Sequence, residues 1–335
     1  MLAEFEIGRN DAGQRAERYL RRRFAAMGLD RLQSLFRRKE IKVDRKPIKR
    51  SQVLNAGDRL QVYGLRPEEM EGAVPSASGE KTTVAGPALP RAVLRIPILF
   101  EDADLLVLDK PANLAVHPGT GIGVGDSVIE QARAYLASGR DDTELFQPSL
   151  VHRLDKDTSG VLVIAKTGES LRRLTAALRD GGFAKEYLAL VEGVPDPRDG
   201  EISGLLQRVD SRSGGAKAEV SQEDGKWSVT RYKTVKDFGK FALLGVIIET
   251  GRMHKIRAHL ASRGHALVGD PRYGSFERNR AYRKTLGLKR TFLHAADLEI
   301  QSARGPKLSF HAPLPKDLAS ALERINENPD AGGDA

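Results

Sequence analysis

A stretch without periodicity divides this chain. Residues 64–91, GLRPEEMEGAVPSASGEKTTVAGPALPR, are rich in Gly, Pro, Ser and Ala and show no sustained apolar repeat. Such a segment supplies neither a helix face nor a strand to a core, so the fold must be built on either side of it. The 335 residues therefore read as an N-terminal unit over 1–66, a flexible linker over 67–91, a body over 92–320 and a disordered tail over 321–335, ending ENPDAGGDA. With 40% hydrophobic and 30% charged residues, the two units have enough apolar material for soluble cores.

Charge is unevenly shared between them. The whole chain carries +9, yet residues 1–63 hold 16 Lys and Arg against 8 Asp and Glu, so +8 sits in under a fifth of the length. A basic appendage on a near-neutral body points to a polyanionic partner, nucleic acid above all. There is no run of 18 apolar residues, and MLAEFEIGRN lacks the order of a signal peptide, so a cytoplasmic location without membrane contact is expected. The complete lack of Cys removes disulfides, thiolate metal sites and a Cys nucleophile.

In the basic unit, RAERYLRRRFAAM spaces Ala16, Leu20, Phe24 and Met27 for one helix face and turns Arg15, Arg18, Arg21 and Arg22 outward. DRLQSLFRRKE predicts a second helix, started by Asp30 and packed through Leu32, Leu35 and Phe36, with Arg37, Arg38 and Lys39 at its end. IKVDRKPIKRSQVLNAGDRLQVY then alternates around turn residues, predicting short strands. Two helices followed by a small basic sheet resemble the S4 RNA-binding domain.

The body opens with short strands at Ile98 to Phe100 and Leu105 to Leu108. A Gly-rich loop, GTGIGVG, and a helix capped by Asp126 follow. The loop lacks Walker spacing and the Lys-Ser or Lys-Thr that must follow it, so nucleotide binding is not expected. LVHRLDKDTSGVLVIAKT, residues 150–167, sets a charged connection between two apolar runs, with Ser159-Gly160 as its turn signal. His254 and His259 are five apart and His265 six further on, which offers no helical i, i+4 zinc pair.

Together with FAKEYLALVEG and ETGRMHKIRAHLASRGHALVGDPRYG, in that order, this stretch resembles the RluA-type pseudouridine synthases, most of all the branch acting on large-subunit 23S ribosomal RNA. LVLDKPANLAVHPG in front, and LHAADLEI and FHAPLP behind, extend the likeness over about residues 95–315. The resemblance implies an α+β fold, a mixed and mainly antiparallel sheet with helices, preceded by the S4-like domain. It implies an isomerase needing no cofactor and no metal, acting as a monomer on ribosomal RNA. Two other readings stay open: a synthase for tRNA or several RNAs, and a binding-only ribosome-assembly factor.

By position in the motifs, Asp155 is the catalytic carboxylate, either attacking C1′ or taking the 2′ proton. Arg257 is its charge partner, and Tyr187 the flat face for a flipped uracil. Arg153, Lys185, Arg252, His254 and Lys255 are expected RNA contacts, with Arg37, Arg38 and Lys39 in the basic unit. His152 is expected to serve as a structural hydrogen-bonding group. Where the family commonly reads Thr-His-Gln-(Ile/Leu)-Arg, this chain reads Met253-His254-Lys255-Ile256-Arg257. The Arg is kept, so the Lys bears on RNA contacts more than on chemistry.

Overall fold

The protein is described by a computed structural model covering residues 1–71, 94–119, 122–123, 125–137, 145–210, 216–221, 223–248, 254–301 and 306–328. Its residues gather into two compact units. The first is Met1–Val93 with Ala132–Ser149 and Ala165–Arg172; the second is Leu94–Gln131, Leu150–Ile164 and Arg173–Ala335.

In the first unit β1 (Ala3–Glu6), α1 (Ala16–Arg23), α2 (Leu29–Arg37), β2 (Ile41–Val43), β3 (Lys46–Pro47) and β4 (Arg59–Val62) form a four-stranded sheet, ordered β1-β4-β2-β3, with two helices. The helix periods do what their spacing predicts. Ala16, Leu20, Phe24, Leu32 and Leu35 are buried in one apolar cluster with Phe5, Ile41 and Leu60. Gly28, not Asp30, is the N-cap of α2, and Asp30 lies in its first turn, where a carboxylate favours the helix dipole.

Two boundaries need correction here. A short helix α3 (Pro67–Glu71) extends past residue 66; Met70 packs on the unit's core and Glu69 pairs with Arg31 at 2.9 Å. The unit is also not continuous in sequence. Leu145 is buried in the same cluster, and its N–H donates to the Asp11 carboxylate at 3.3 Å. Residues 72–91 of the expected linker lie outside the described residues, as do residues 92 and 93 of the expected body.

The second unit is built on β5 (Ile98–Glu101), β6 (Leu105–Lys110), β7 (Ser149–Leu150), β8 (Ser159–Ala165), β9 (Phe183–Glu192), β10 (Asp199–Asp210), β11 (Ala216–Ser221), β12 (Lys226–Asp237), β13 (Phe241–Ile248), β14 (Leu293–Ile300) and β15 (Leu308–His311). They make one sheet in the order β11-β10-β12-β13-β9-β14-β8-β6-β5, with β15 on β14 and β7 on β8. β9 is antiparallel to both its neighbours, whereas β14 meets β8 in parallel at His294↔Ser159 and Ala295↔Gly160, so the sheet is mixed. Four further helices are α4 (Val128–Leu136), α5 (Gly168–Arg179), α6 (Lys255–Ser262) and α7 (Phe276–Thr285), and the last helix is α8 (Lys316–Glu327). Ser127, not Asp126, caps α4: its hydroxyl accepts from the Glu130 N–H and the Glu130 carboxylate accepts from the Ser127 N–H.

Two local readings change. Ser159-Gly160 does not turn the chain but opens β8; the turn falls at 156–157. Gly160 has φ 117°, and a Cβ there would lie 2.1 Å from the Ala295 carbonyl oxygen, so glycine permits the close approach of β8 to β14. Residues 321–327 of the expected disordered tail belong to α8, whose Leu318, Ala321 and Ile325 are buried with Phe241 and Phe292. That apolar stripe at i, i+3 and i+7 is ordinary helix packing hidden by polar flanks. Residues 329–335 lie outside the described residues.

Candidate active site

The charged connection that interrupts the sheet is held by its backbone. Lys110 ends β6 fully buried, and its ammonium donates to the carbonyls of Lys156 at 2.9 Å and Pro111 at 2.8 Å. Burial lowers the Lys110 ammonium to about 7. Arg290 donates to the Asp157 carbonyl at 3.2 Å while it forks onto Asp317 of α8 at 2.6 and 3.1 Å. The Thr158 N–H closes the turn on the Asp155 carbonyl at 3.1 Å. With the main chain of 155–157 anchored in this way, the Asp155 side chain is free to face a cavity.

That cavity is lined by Arg153, Asp155, Tyr187, His254, Lys255 and Arg257, with apolar walls from Leu154, Ile248, Ile256 and Leu293. Asp155 is 21% exposed and meets Arg257 Nη1 at 3.4 Å. Arg257 projects from the first turn of α6 and forks onto Asp270, Nε to Oδ2 at 2.6 Å and Nη2 to Oδ1 at 2.7 Å. Burial opposes the guanidinium charge, yet the Asp270 fork and the Asp155 carboxylate hold its pKa above the ordinary arginine value. Its Cζ also lies 5.2 Å from the centre of the Tyr273 ring.

Tyr187 comes from the inward face of β9, 5% exposed. Burial, reinforced by the nearby Asp155 charge, pushes its phenol up, so it stays protonated and neutral. His254, in the left-handed region at φ 52°, leads α6, with Nε2 3.7 Å from Asp155 and Nδ1 3.3 Å from the Tyr273 hydroxyl. Its pKa is lowered, burial outweighing the pull of Asp155. An apolar-walled pocket holding one carboxylate, a fixed cation and a neutral phenol suits stabilisation of a cationic sugar-like centre beside a flat ring.

The expected site residues divide. Asp155, Tyr187, Arg257, Arg153 and His254 meet at this cavity. Lys185 does not: it is 4% exposed, its ammonium 5.6 Å from the Phe183 ring, and burial lowers it to about 8, so it is no surface contact for RNA. Lys255 lines the cavity but is 2% exposed, because α6 packs on the β10–β12 sheet with its whole first turn inward; it too is not a surface contact. Arg37, Arg38 and Lys39 stand exposed at the end of α2 in the first unit. Arg252 lies outside the described residues. The His152 Nε2 accepts from the Val163 N–H at 3.2 Å, and burial lowers the ring to about 3, which fits a structural histidine.

Sequence reasoning missed Asp270, Tyr273 and Lys110. The signal lay in GDPRYG: a buried arginine asked to face one carboxylate still needs its remaining donors filled, and Asp270 is the acid that follows α6.

Comparison with known proteins agrees with this geometry. The family described as RNA pseudouridylate synthase matches residues 104–262. The ribosomal large subunit pseudouridine synthase C of Escherichia coli K12 is 36% identical over 321 residues, 95% of each chain. The chain belongs to the RluA-type RNA pseudouridine synthases. It is therefore an isomerase that turns uridine in RNA into pseudouridine. The ribosomal large subunit pseudouridine synthase C of Vibrio cholerae is 34% identical over 96% of both chains. A solved human structure, RNA Pseudouridylate Synthase Domain Containing 4, covers 69% of this synthase and 93% of itself at TM-score 0.53 and 23% identity, a likeness of fold.

Proposed function

We propose that this pseudouridine synthase modifies uridines of large-subunit 23S ribosomal RNA, with Asp155 as its catalytic carboxylate. The observation that carries the residue assignment is the Asp155 side chain, partly exposed in an apolar-walled cavity and opposed at 3.4 Å by an arginine that is itself locked. The reaction breaks the N1–C1′ bond, turns the base within the pocket and joins C5 to C1′; C5 then loses its proton and N1 ends protonated, so the product is an isomer of the substrate. Asp155 either attacks C1′ or removes the 2′ proton, and both routes place a carboxylate at the sugar, where Arg257 Nη1 stands 3.4 Å from it. Tyr187 offers a flat neutral face to the detached uracil, and Arg153, exposed at the rim, faces phosphate or the gap left by the flipped base.

The ribosomal reading rests on the names of the relatives and on the basic first unit, which we infer to be an S4-like RNA-binding domain using Arg37, Arg38 and Lys39. A monomer working in the cytoplasm accords with this reading; among the described residues no helix is long and apolar enough to cross a membrane. Mapping pseudouridine in total RNA from cells with and without the protein tests the substrate. Loss of sites in 23S RNA is expected. Loss confined to tRNA would move the substrate class, and no change anywhere would favour a binding-only assembly factor.

A further inference from the structure

Beside the Asp155 loop lies a second concavity that the reaction does not use. Asn113, Asp157, Gly269, Phe276, Arg283 and Lys289 are among its lining residues, and Arg280 joins them from α7. Phe276 is 81% exposed, the most open of the described large apolar side chains, at the start of a helix otherwise polar on its outer face. Arg280, Arg283 and Lys289 are exposed around it, and among the described residues none of the three has an acidic partner. Two neighbouring cations are committed elsewhere, Arg278 to Glu192 at 2.7 Å and Arg290 to Asp317 at 2.6 Å. The acids nearby are Asp157, Glu277 and Asp270, and Asp270 is taken by Arg257. Positive charge therefore remains in surplus around an unburied ring.

The platform is firmly seated. The Asn279 side-chain amide donates to the Asp270 carbonyl at 2.7 Å, and its oxygen accepts from the Gly269 N–H at 3.0 Å, so α7 is tied to the segment that holds Arg257. A preorganised exposed aromatic ringed by unpaired cations matches the two needs of single-stranded nucleic acid, a face for a base and charge for its phosphates.

We propose that this concavity binds an unpaired nucleotide of the RNA being modified, its base stacked on Phe276 and its phosphates on Arg280, Arg283 and Lys289. The proposal rests on the RNA substrate reading and extends it to a site outside the catalytic cavity.

The test uses a reporter enzyme carrying Trp227→Phe and Phe276→Trp, which leaves the full chain with a single indole at position 276. Titration with a single-stranded oligouridylate should quench that fluorescence, and an RNA duplex of equal length should not. In parallel, Phe276→Ala should raise KM for a large-subunit ribosomal RNA transcript about tenfold with kcat within about twofold, and Phe276→Trp should restore it. Arg280→Gln with Arg283→Gln should weaken the quench and flatten its salt dependence. Unchanged KM in Phe276→Ala, or an indole that no RNA quenches while the enzyme still makes pseudouridine, would overturn the site, hand the patch to a protein partner and leave the activity reading standing. Equal quenching by duplex and single strand would also overturn it, since charge alone would then explain binding. Failure of the function reading is separate: the unaltered enzyme would form no pseudouridine.

Discussion

Arg257 is bound more tightly to Asp270 than to Asp155, through two bonds of 2.6 and 2.7 Å against one of 3.4 Å. Asp270 is fully buried, and its Oδ1 also accepts from the N–H groups of Arg272 and Tyr273 at 2.9 and 3.2 Å. The guanidinium is thus aimed by the buried acid and presents one remaining edge to the exposed one. This geometry gives Asp270 the place of a positioning residue that would act through Arg257, which the Asp270→Asn variant tests.

Asp270→Asn keeps the shape but removes the charge that aims Arg257. Its kcat should fall at least tenfold with KM little changed, and unfolding should become easier because a buried cation loses its partner, a loss of about 3–5 kcal/mol when a buried pair is broken. Steady-state kinetics with thermal melts checks both. A drop in melting temperature with kcat intact would mean that Asp270 only supports the fold.

Asp155→Asn should abolish pseudouridine formation and leave RNA affinity within a few-fold, since only the carboxylate is lost. Tritium release from C5-labelled RNA reads the chemistry and filter binding reads the affinity. Measurable turnover by the Asn variant would remove Asp155 from its role.

Stability should fall as pH drops from about 6.5 toward 4. His152 and His259 are held neutral by burial, their folded values lowered to about 3 and about 4. Below the ordinary histidine value the unfolded chain binds protons that the folded chain refuses, so acid favours unfolding. On the alkaline side Lys110, lowered to about 7, has its own window: the folded protein sheds its proton before the unfolded one does, and stability should rise from pH 7 toward 10. Denaturant melts across pH should give a shallower acid limb for His152→Gln and a flatter alkaline limb for Lys110→Met.

Ile325→Ala should cost about 2–5 kcal/mol, as expected for a large-to-small change in a packed core. Cutting the chain after residue 320 should be worse, removing Ala321 and Ile325 together. If the truncated enzyme melted like the full one, α8 would be a loosely held appendage.

Replacing Arg37, Arg38 and Lys39 together by Gln should weaken RNA binding and flatten its salt dependence. Every phosphate that these cations no longer neutralise reduces the log-log slope by about 0.9 on duplex or about 0.7 on single strands. The Arg38–Glu40 ion pair, at 3.1 Å on the surface, adds little to stability, so the fold should be unaffected. An unchanged slope would show these side chains to be solvated surface.

Local order could be read directly from this chain. Apolar spacing through Ala16, Leu20 and Phe24 determined α1, the apolar run Val161–Ile164 determined β8, and the likeness of three ordered motifs to the pseudouridine synthases marked Asp155, Tyr187 and Arg257. What lay beyond it were relations between residues distant in sequence. Arg257 is 102 residues from Asp155, and nothing local says that Asp270 fills the rest of its fork. Lys185 and Lys255 look like surface cations in sequence, and only the packing of β9 and α6 turns them inward. Leu145 joins a core assembled from residues far earlier in the chain, its N–H bonded to Asp11 134 positions away. Periodicity records which face of an element is apolar; which other element covers that face, and which donors are left to pair there, is decided by non-local packing.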